Sequence, residues 1–176
     1  MRALYVGRFQ PFHLGHLAIL QEILKEHYEL IIVVGSAQHS HTLENPFTAG
    51  ERIQMITETL DEESITKRVY IIPIDDIHRH SVWVRQVESL TPSFDAVFSN
   101  EPITIRLFRE ASYTVRNTHL IHREKWSGTE IRNRILENEP WEKCVPQAVA
   151  RVIKEIDGVK RIKDLAKTDN IHKKRI

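Results

Sequence analysis

The sequence predicts an α/β fold, a mostly parallel sheet with helices on both faces and a small helical extension at its C-terminal end. Three observations carry this. Short apolar runs alternate with stretches of helical period from one end of the chain to the other. The runs are continuous rather than alternating in polarity, as strands covered on both faces are. Turn-forming and polar residues cluster just after each run, where an open α/β sheet places its ligand crevice.

Ala3-Leu4-Tyr5-Val6 reads as the first buried strand, and Leu17, Leu20, Ile23 and Leu24 then recur at helix spacing. Leu30 to Val34 is a second strand, ending at Gly35-Ser36. Thr48-Ala49-Gly50-Glu51 is a capping box that opens a helix with Ile53, Ile56 and Leu60 on one stripe. Val69 to Ile74 is a third strand, with Pro73 placing its end at the margin of the ladder, and Asp75-Asp76 follow. Ser81 is the expected cap of a helix through Leu90. Asp95 to Phe98 is a fourth strand, followed by Ser99-Asn100 and a helix after Pro102. A fifth strand is expected to end near Leu120-Ile121. Residues 1–166 are expected to form one domain, its helical appendage running from Pro146 to Ala166, and the basic stretch 167–176 a loose tail.

Composition narrows the partners. At 176 residues the chain can bury a full core without staples, and its 41% hydrophobic and 28% charged residues describe an ordinary soluble globule. A net charge of +1 lacks the concentrated basic surface of a duplex-binding protein, so nucleic acid is not an expected partner. No apolar stretch approaches the length of a membrane span, so no membrane partner is expected. The lone Cys144 forms neither an intrachain disulfide nor a CxxC site, which points to a reducing, cytoplasmic setting.

The chemistry concentrates in GRFQPFHLGH, residues 7–16. His13 and His16 stand at i and i+3, on one side of a first helical turn. Gly7 and Pro11 make a tight strand-to-helix turn, and Gly15 keeps side chains out of the space between backbone and ligand. The free N–H groups of a helix start favour an anion, two imidazoles add donors, and Arg8 adds a permanent planar cation. A zinc site would want a third protein ligand, and His39 and His41 match no familiar spacing. Phosphate is therefore the expected ligand.

A second anion site lies at Trp126-Ser127-Gly128-Thr129-Glu130-Ile131-Arg132. Ser127 with Glu130 reads as another capping box, Ser127 and Thr129 supply hydroxyls, and Arg132 projects from the first turn. Paired with the first motif on one sheet edge, it forms a clamp for the far end of a triphosphate.

GRFQPFHLGH resembles the GxFxPxHxGH signature of the nucleotidylyltransferase superfamily, and WSGTEIR resembles its C-terminal S/T-x-x-R element. In GSAQ, NPFTAGER, DDI and SGTEIR the chain is most similar to the archaeal nicotinamide-nucleotide adenylyltransferases. The resemblance spans Arg2 to Lys167 and implies the Rossmann-like nucleotidylyltransferase fold. It implies direct attack of the phosphate of nicotinamide mononucleotide (NMN) on the α-phosphorus of ATP, giving NAD and pyrophosphate. It also implies Mg²⁺, or another divalent cation, on the ATP phosphates and homo-oligomeric association. On this likeness His16, His13 and Arg132 are the catalytic candidates. Gly7, Arg8, Phe9, Gly15, Ser127 and Thr129 join them around ATP, and no residue is assigned to bind a metal directly. Gly35, Ser36, Asp76, Trp83 and Arg52 form the NMN side. There the Trp83 indole would stack on the cationic pyridinium, Asp76 would take a carboxamide or ribose hydrogen bond, and Arg52 would reach a phosphate.

One departure stands out. The loop from Ser40 to Asn45 has no basic residue near Glu44, where some relatives place an arginine toward phosphate. The same motifs also accommodate nicotinate mononucleotide, FMN or phosphopantetheine as acceptor, CTP as donor, or a nucleotide-binding module without chemistry.

Overall fold

The computed structural model describes residues 1–65, 68–117 and 126–173. Its strands are β1 (Arg2–Gly7), β2 (Glu29–Val34), β3 (Val69–Pro73), β4 (Ala96–Phe98) and β5 (Thr114–Arg116). All pair in parallel, in the spatial order β3-β2-β1-β4-β5. The inner strands are continuous in hydrophobicity because each feeds two cores at once. Ala3, Tyr5, Leu30, Ile32 and Val34 enter the larger core, while Leu4, Ile31 and Val33 enter the smaller one. The period-2 alternation of a strand, with apolar residues on both faces, produces the unbroken runs.

Helices α1 (Leu14–Glu26), α2 (Ala49–Glu62), α5 (Gly128–Glu137), α6 (Gln147–Glu155) and α7 (Gly158–Lys173) pack around the larger core. Helices α3 (His80–Leu90) and α4 (Pro102–Glu110) cover the other face through Val84, Val87 and Phe108. The fold is thus the Rossmann-like α/β sheet expected from the sequence, here with five strands among the described residues. Thr48 and Glu51 form both bonds of the expected capping box at 3.2 and 2.9 Å. Ser81 does not cap its helix. Helix α3 starts two residues earlier than that cap implies, at His80, and its N-cap Arg79 makes no side-chain bond to the helix.

Strand β3 is the sheet edge, so Pro73, which has no N–H, sits at its last position opposite Val34 without breaking an inner ladder. The expected strand end at Leu120-Ile121 lies outside the described residues; the strand present is Thr114–Arg116. Helix α6 packs on α2 and α7 on α5. The two guanidinium nitrogens Nη1 and Nη2 of Arg161 grip the Glu51 carboxylate at 2.7 and 2.8 Å, and Nη1 also reaches the Pro46 carbonyl. The C-terminal helices therefore buttress the segment that opens α2. The last helix continues past Ala166 to Lys173, so the polar stretch expected as a loose tail is helical to that point.

Strand β1 has β2 on one side and β4 on the other, so the chain leaves its carboxyl end at a topological switch point. A crevice opens there, between loops that part in opposite directions.

Candidate active site

A cleft of about 580 Å³ occupies that switch point. Both sequence motifs and the loops after β2, β3 and β4 contribute to its wall.

His13 is the N-cap of α1, and its relation to His16 is reciprocal. The His13 Nδ1 accepts the backbone N–H of His16 at 3.3 Å, and the His16 Nδ1 accepts the backbone N–H of His13 at 3.2 Å. This is a capping box built from two imidazoles. With both Nδ1 atoms spent as acceptors, each neutral ring carries its proton on Nε2. The rings stack with centroids 3.5 Å apart, and His16 also stacks on Phe12 at 5.5 Å and meets Phe9 edge-on at 4.8 Å. Burial pushes His13 down to about 3. His16 keeps part of its ring open to the cleft, yet burial among these aromatics, and then the His13 charge, hold it well below the usual imidazole value. The pair consists of neutral N–H donors facing an electropositive helix end.

The motif's glycines have reasons that differ from the sequence expectation. A methyl on Gly15 would sit 3.1 Å from the His13 Nδ1, with the Trp126 Cβ at 3.5 Å. Gly15 therefore makes room for the imidazole, and it does not line the cleft. A methyl on Gly7 would sit 2.7 Å from the Phe9 ring. Phe9 folds back beneath Gly7, the whole residue 1% exposed and its ring packed against Tyr5, Phe12 and His16. Its φ of 53° places a non-glycine residue in the left-handed region, a strain of about 1–2 kcal/mol of the kind that gathers at functional loops.

On the second motif, Ser127 caps α5 by accepting the Glu130 N–H at 3.1 Å. The box is not reciprocal, because the Glu130 carboxylate is taken by Arg134 Nε at 2.8 Å. Arg132 donates to the Gln10 carbonyl at 2.7 Å and more weakly to the Thr129 hydroxyl at 3.4 Å. Burial, then the neighbouring Arg8, lower its pKa, while Glu44 acts in the opposite direction. Arg8 is exposed at the cleft, and among the described residues its guanidinium has no partner. Two helix starts and two guanidinium groups thus face one space, and an extended polyphosphate fits that charge.

On the opposite wall Gly35 and Ser36 follow β2, Asp76 follows β3, and Trp83 lies on α3. The Ser36 hydroxyl donates to the Asp76 carboxylate at 2.6 Å, and Gln38 bonds both backbone groups of Asp76. Trp83 packs edge-on against Phe108, its centroid 5.7 Å away, and still lines the cleft. Arg52, expected to reach a phosphate, is not on the wall but fully buried behind it, its N–H groups spent on four backbone carbonyls.

Gln10 is the residue that the sequence left unremarked. Its buried amide bonds both backbone groups of Phe47, at 2.9 and 3.0 Å, and its carbonyl orients Arg132. A methyl on Gly128 would come within 2.8 Å of that carbonyl oxygen, so the two motifs touch through bare backbone. No local pattern announces a partner 37 residues away. His80, Trp126 and Glu44 also line the cleft without having been assigned a role.

Residues 4–134 match the model of the cytidylyltransferase-like family. The chain is 53% identical to the nicotinamide-nucleotide adenylyltransferase of Archaeoglobus fulgidus, with 96% of this chain and 99% of that protein covered. It is 54% identical to the protein of the same name from Picrophilus torridus, again covering 96% and 99%. Among solved structures, a bifunctional NMN adenylyltransferase/ADP ribose pyrophosphatase from Francisella tularensis, complexed with AMP and a manganese ion, superposes with a TM-score of 0.78 at 24% identity. The match covers 99% of this chain and 54% of that one, and it concerns the fold.

Proposed function

The chain belongs to the cytidylyltransferase-like family, and from that premise we infer that it is a nicotinamide-nucleotide adenylyltransferase, forming NAD and pyrophosphate from NMN and ATP. The observation that carries the site assignment is the reciprocal histidine box, set at the switch point beside Arg8 and Arg132.

An oxygen of the NMN phosphate attacks the α-phosphorus of ATP. The new P–O bond forms as the bond to the β-phosphate bridging oxygen breaks, and the electron pair leaves with pyrophosphate. The nucleophile is already an anion, so the reaction calls for positioning and charge stabilisation rather than a protein base. His13 contacts the phosphates, and the Nε2–H of His16 stabilises the α-phosphoryl oxygens as their charge grows. Arg8, Ser127, Thr129 and Arg132 hold the β- and γ-phosphates, with the backbones of Gly7 and Phe9 beside them.

On the acceptor side Trp83 offers its indole to the pyridinium, and Asp76, held by Ser36, accepts a hydrogen bond from the carboxamide or ribose. Among the described residues no group of three or more histidine, cysteine or acidic side chains is arranged to hold a metal. A divalent cation, Mg²⁺ in this reading, would be held through the substrate phosphates beside Arg8 and Arg132 and would supply charge neutralisation there. Homo-oligomeric association and a cytoplasmic setting complete the reading; the lone Cys144, buried and reduced, supports the second.

The test is pyrophosphate release by purified protein with ATP and Mg²⁺ across a panel of acceptors. NAD formed with NMN is the expected result. Release only with FMN, phosphopantetheine or nicotinate mononucleotide would keep the phosphate site and reject the acceptor assignment. No release with any acceptor would reject adenylyl transfer.

A further inference from the structure

Arg52 has a buried guanidinium, on the first turn of α2, that bonds no carboxylate among the described residues. A cation in that position is tolerated only when its N–H groups are met by other acceptors. Here Nε donates to the Thr48 carbonyl at 3.2 Å. Nη1 donates to Arg8 and Gly35 at 2.8 and 2.9 Å, and Nη2 to Ser36 at 3.1 Å. Three of the four acceptors are not local. Arg8 lies in the loop after β1, on the triphosphate side, and Gly35 and Ser36 lie in the loop after β2, on the acceptor side. The Gly35 N–H closes the same junction on the Gly7 carbonyl at 2.9 Å.

In a trans peptide the carbonyl and the following N–H point in opposite directions. Arg52 draws the carbonyls of Arg8 and Gly35 back toward the core, so the N–H groups of Phe9 and Ser36 face away from it. Both of those residues line the cleft. One planar fork therefore orients backbone donors on both sides of the site.

We propose that Arg52 is a positioning residue that fixes the separation of the two substrates by clamping the loops after β1 and β2 to one another. The proposal rests on the adenylyl-transfer reading above. Lysine cannot replace it, because a tetrahedral ammonium does not span carbonyls arranged for a planar fork. Displacement of reacting groups by about 1 Å is enough to cost roughly 10²-fold in rate.

The experiment compares wild type, R52K and, as a stability control away from the cleft, R161A. For R52K we expect kcat to fall about 10²-fold, while the Kd of ATP alone and of NMN alone, by calorimetry, moves only a few-fold. R161A loosens the same end of α2 by removing the Glu51 clamp, and its kcat should stay near wild type despite a lower Tm. Wild-type turnover in R52K, or a kcat loss that R161A reproduces at equal Tm, would overturn the proposal. A measurement on wild type covers the case in which R52K does not fold. The Arg52 Nε–H resonance, assigned in ¹⁵N-arginine-labelled protein, should shift on saturation with ATP alone and again with NMN alone. A signal indifferent to both would also overturn it. Wild type that releases no pyrophosphate with any acceptor would refute the adenylyl-transfer reading, while the resonance shifts would still decide whether Arg52 links the two loops.

Discussion

His13 and His16 accept each other's backbone N–H through Nδ1, so each ring is fixed as an Nε2–H donor before any substrate arrives. The helix cap and the proposed phosphate donors share the same two imidazoles, Nδ1 serving the cap and Nε2–H facing the ligand, and the tautomer that adenylyl transfer would need follows from the cap.

His16→Ala should lower kcat by about 10²–10³-fold, the usual cost of losing one preorganised donor to a transition-state oxyanion. The helix loses one of two reciprocal bonds, a cost of about 1 kcal/mol by comparison with other caps, so the variant should remain folded. Turnover of NMN and ATP measured beside the melting temperature separates the two effects. Unchanged kcat would remove His16 from the chemistry.

The neutral pair also sets the acid stability. The folded value of His13, about 3, lies below the unfolded histidine value near 6.5. Below that upper value the unfolded chain takes up protons that the folded site refuses, so stability is full above about pH 7 and falls as the pH drops. For His13 the slope approaches about 1.4 kcal/mol per pH unit. His16 and the buried His27 are shifted in the same direction, burial being the first cause in both. Urea midpoints between pH 5 and 8 should reveal this slope. His13→Asn, which retains a capping oxygen, should reduce it by about one proton. An identical slope in the variant would mean that His13 titrates normally.

Trp83→Ala should weaken NMN binding about 5- to 30-fold, the range of a partly desolvated cation–π contact, and leave the ATP KM nearly unchanged. Trp83 also packs on Phe108, so Trp83→Phe provides the control that retains a ring against it. Comparing NMN with its reduced form, whose ring is neutral, isolates the charge. Wild type that binds both equally well would reduce Trp83 to a packing residue.

Much of the architecture was legible because its signals are local. A strand covered on both faces needs apolar residues at every position, so the first four strands could be read directly from composition over a few residues. Thr48 and Glu51 could be paired because a capping box closes within one turn. Ser127 with Glu130 shows the limit of that logic. The hydroxyl caps as expected, but Arg134, one turn further on, takes the carboxylate. Ser81 failed as a cap for a related reason, since helix α3 begins before it reaches the cap position.

The sequence by itself determined the alternation of strands and helices, the switch-point crevice at their carboxyl ends, and the two motifs that meet there. Tertiary structure alone decided what Arg52 and Gln10 do. Arg52 is charged and sits just after a helix cap, where local chemistry suits a phosphate, yet three carbonyls brought in by other loops bury it. Gln10 finds Phe47 only once the chain has closed. The physical reason is one of range. Period, propensity and capping act within a turn or a strand, whereas the partner of a buried polar group is whatever the folded chain places within about 3 Å of it.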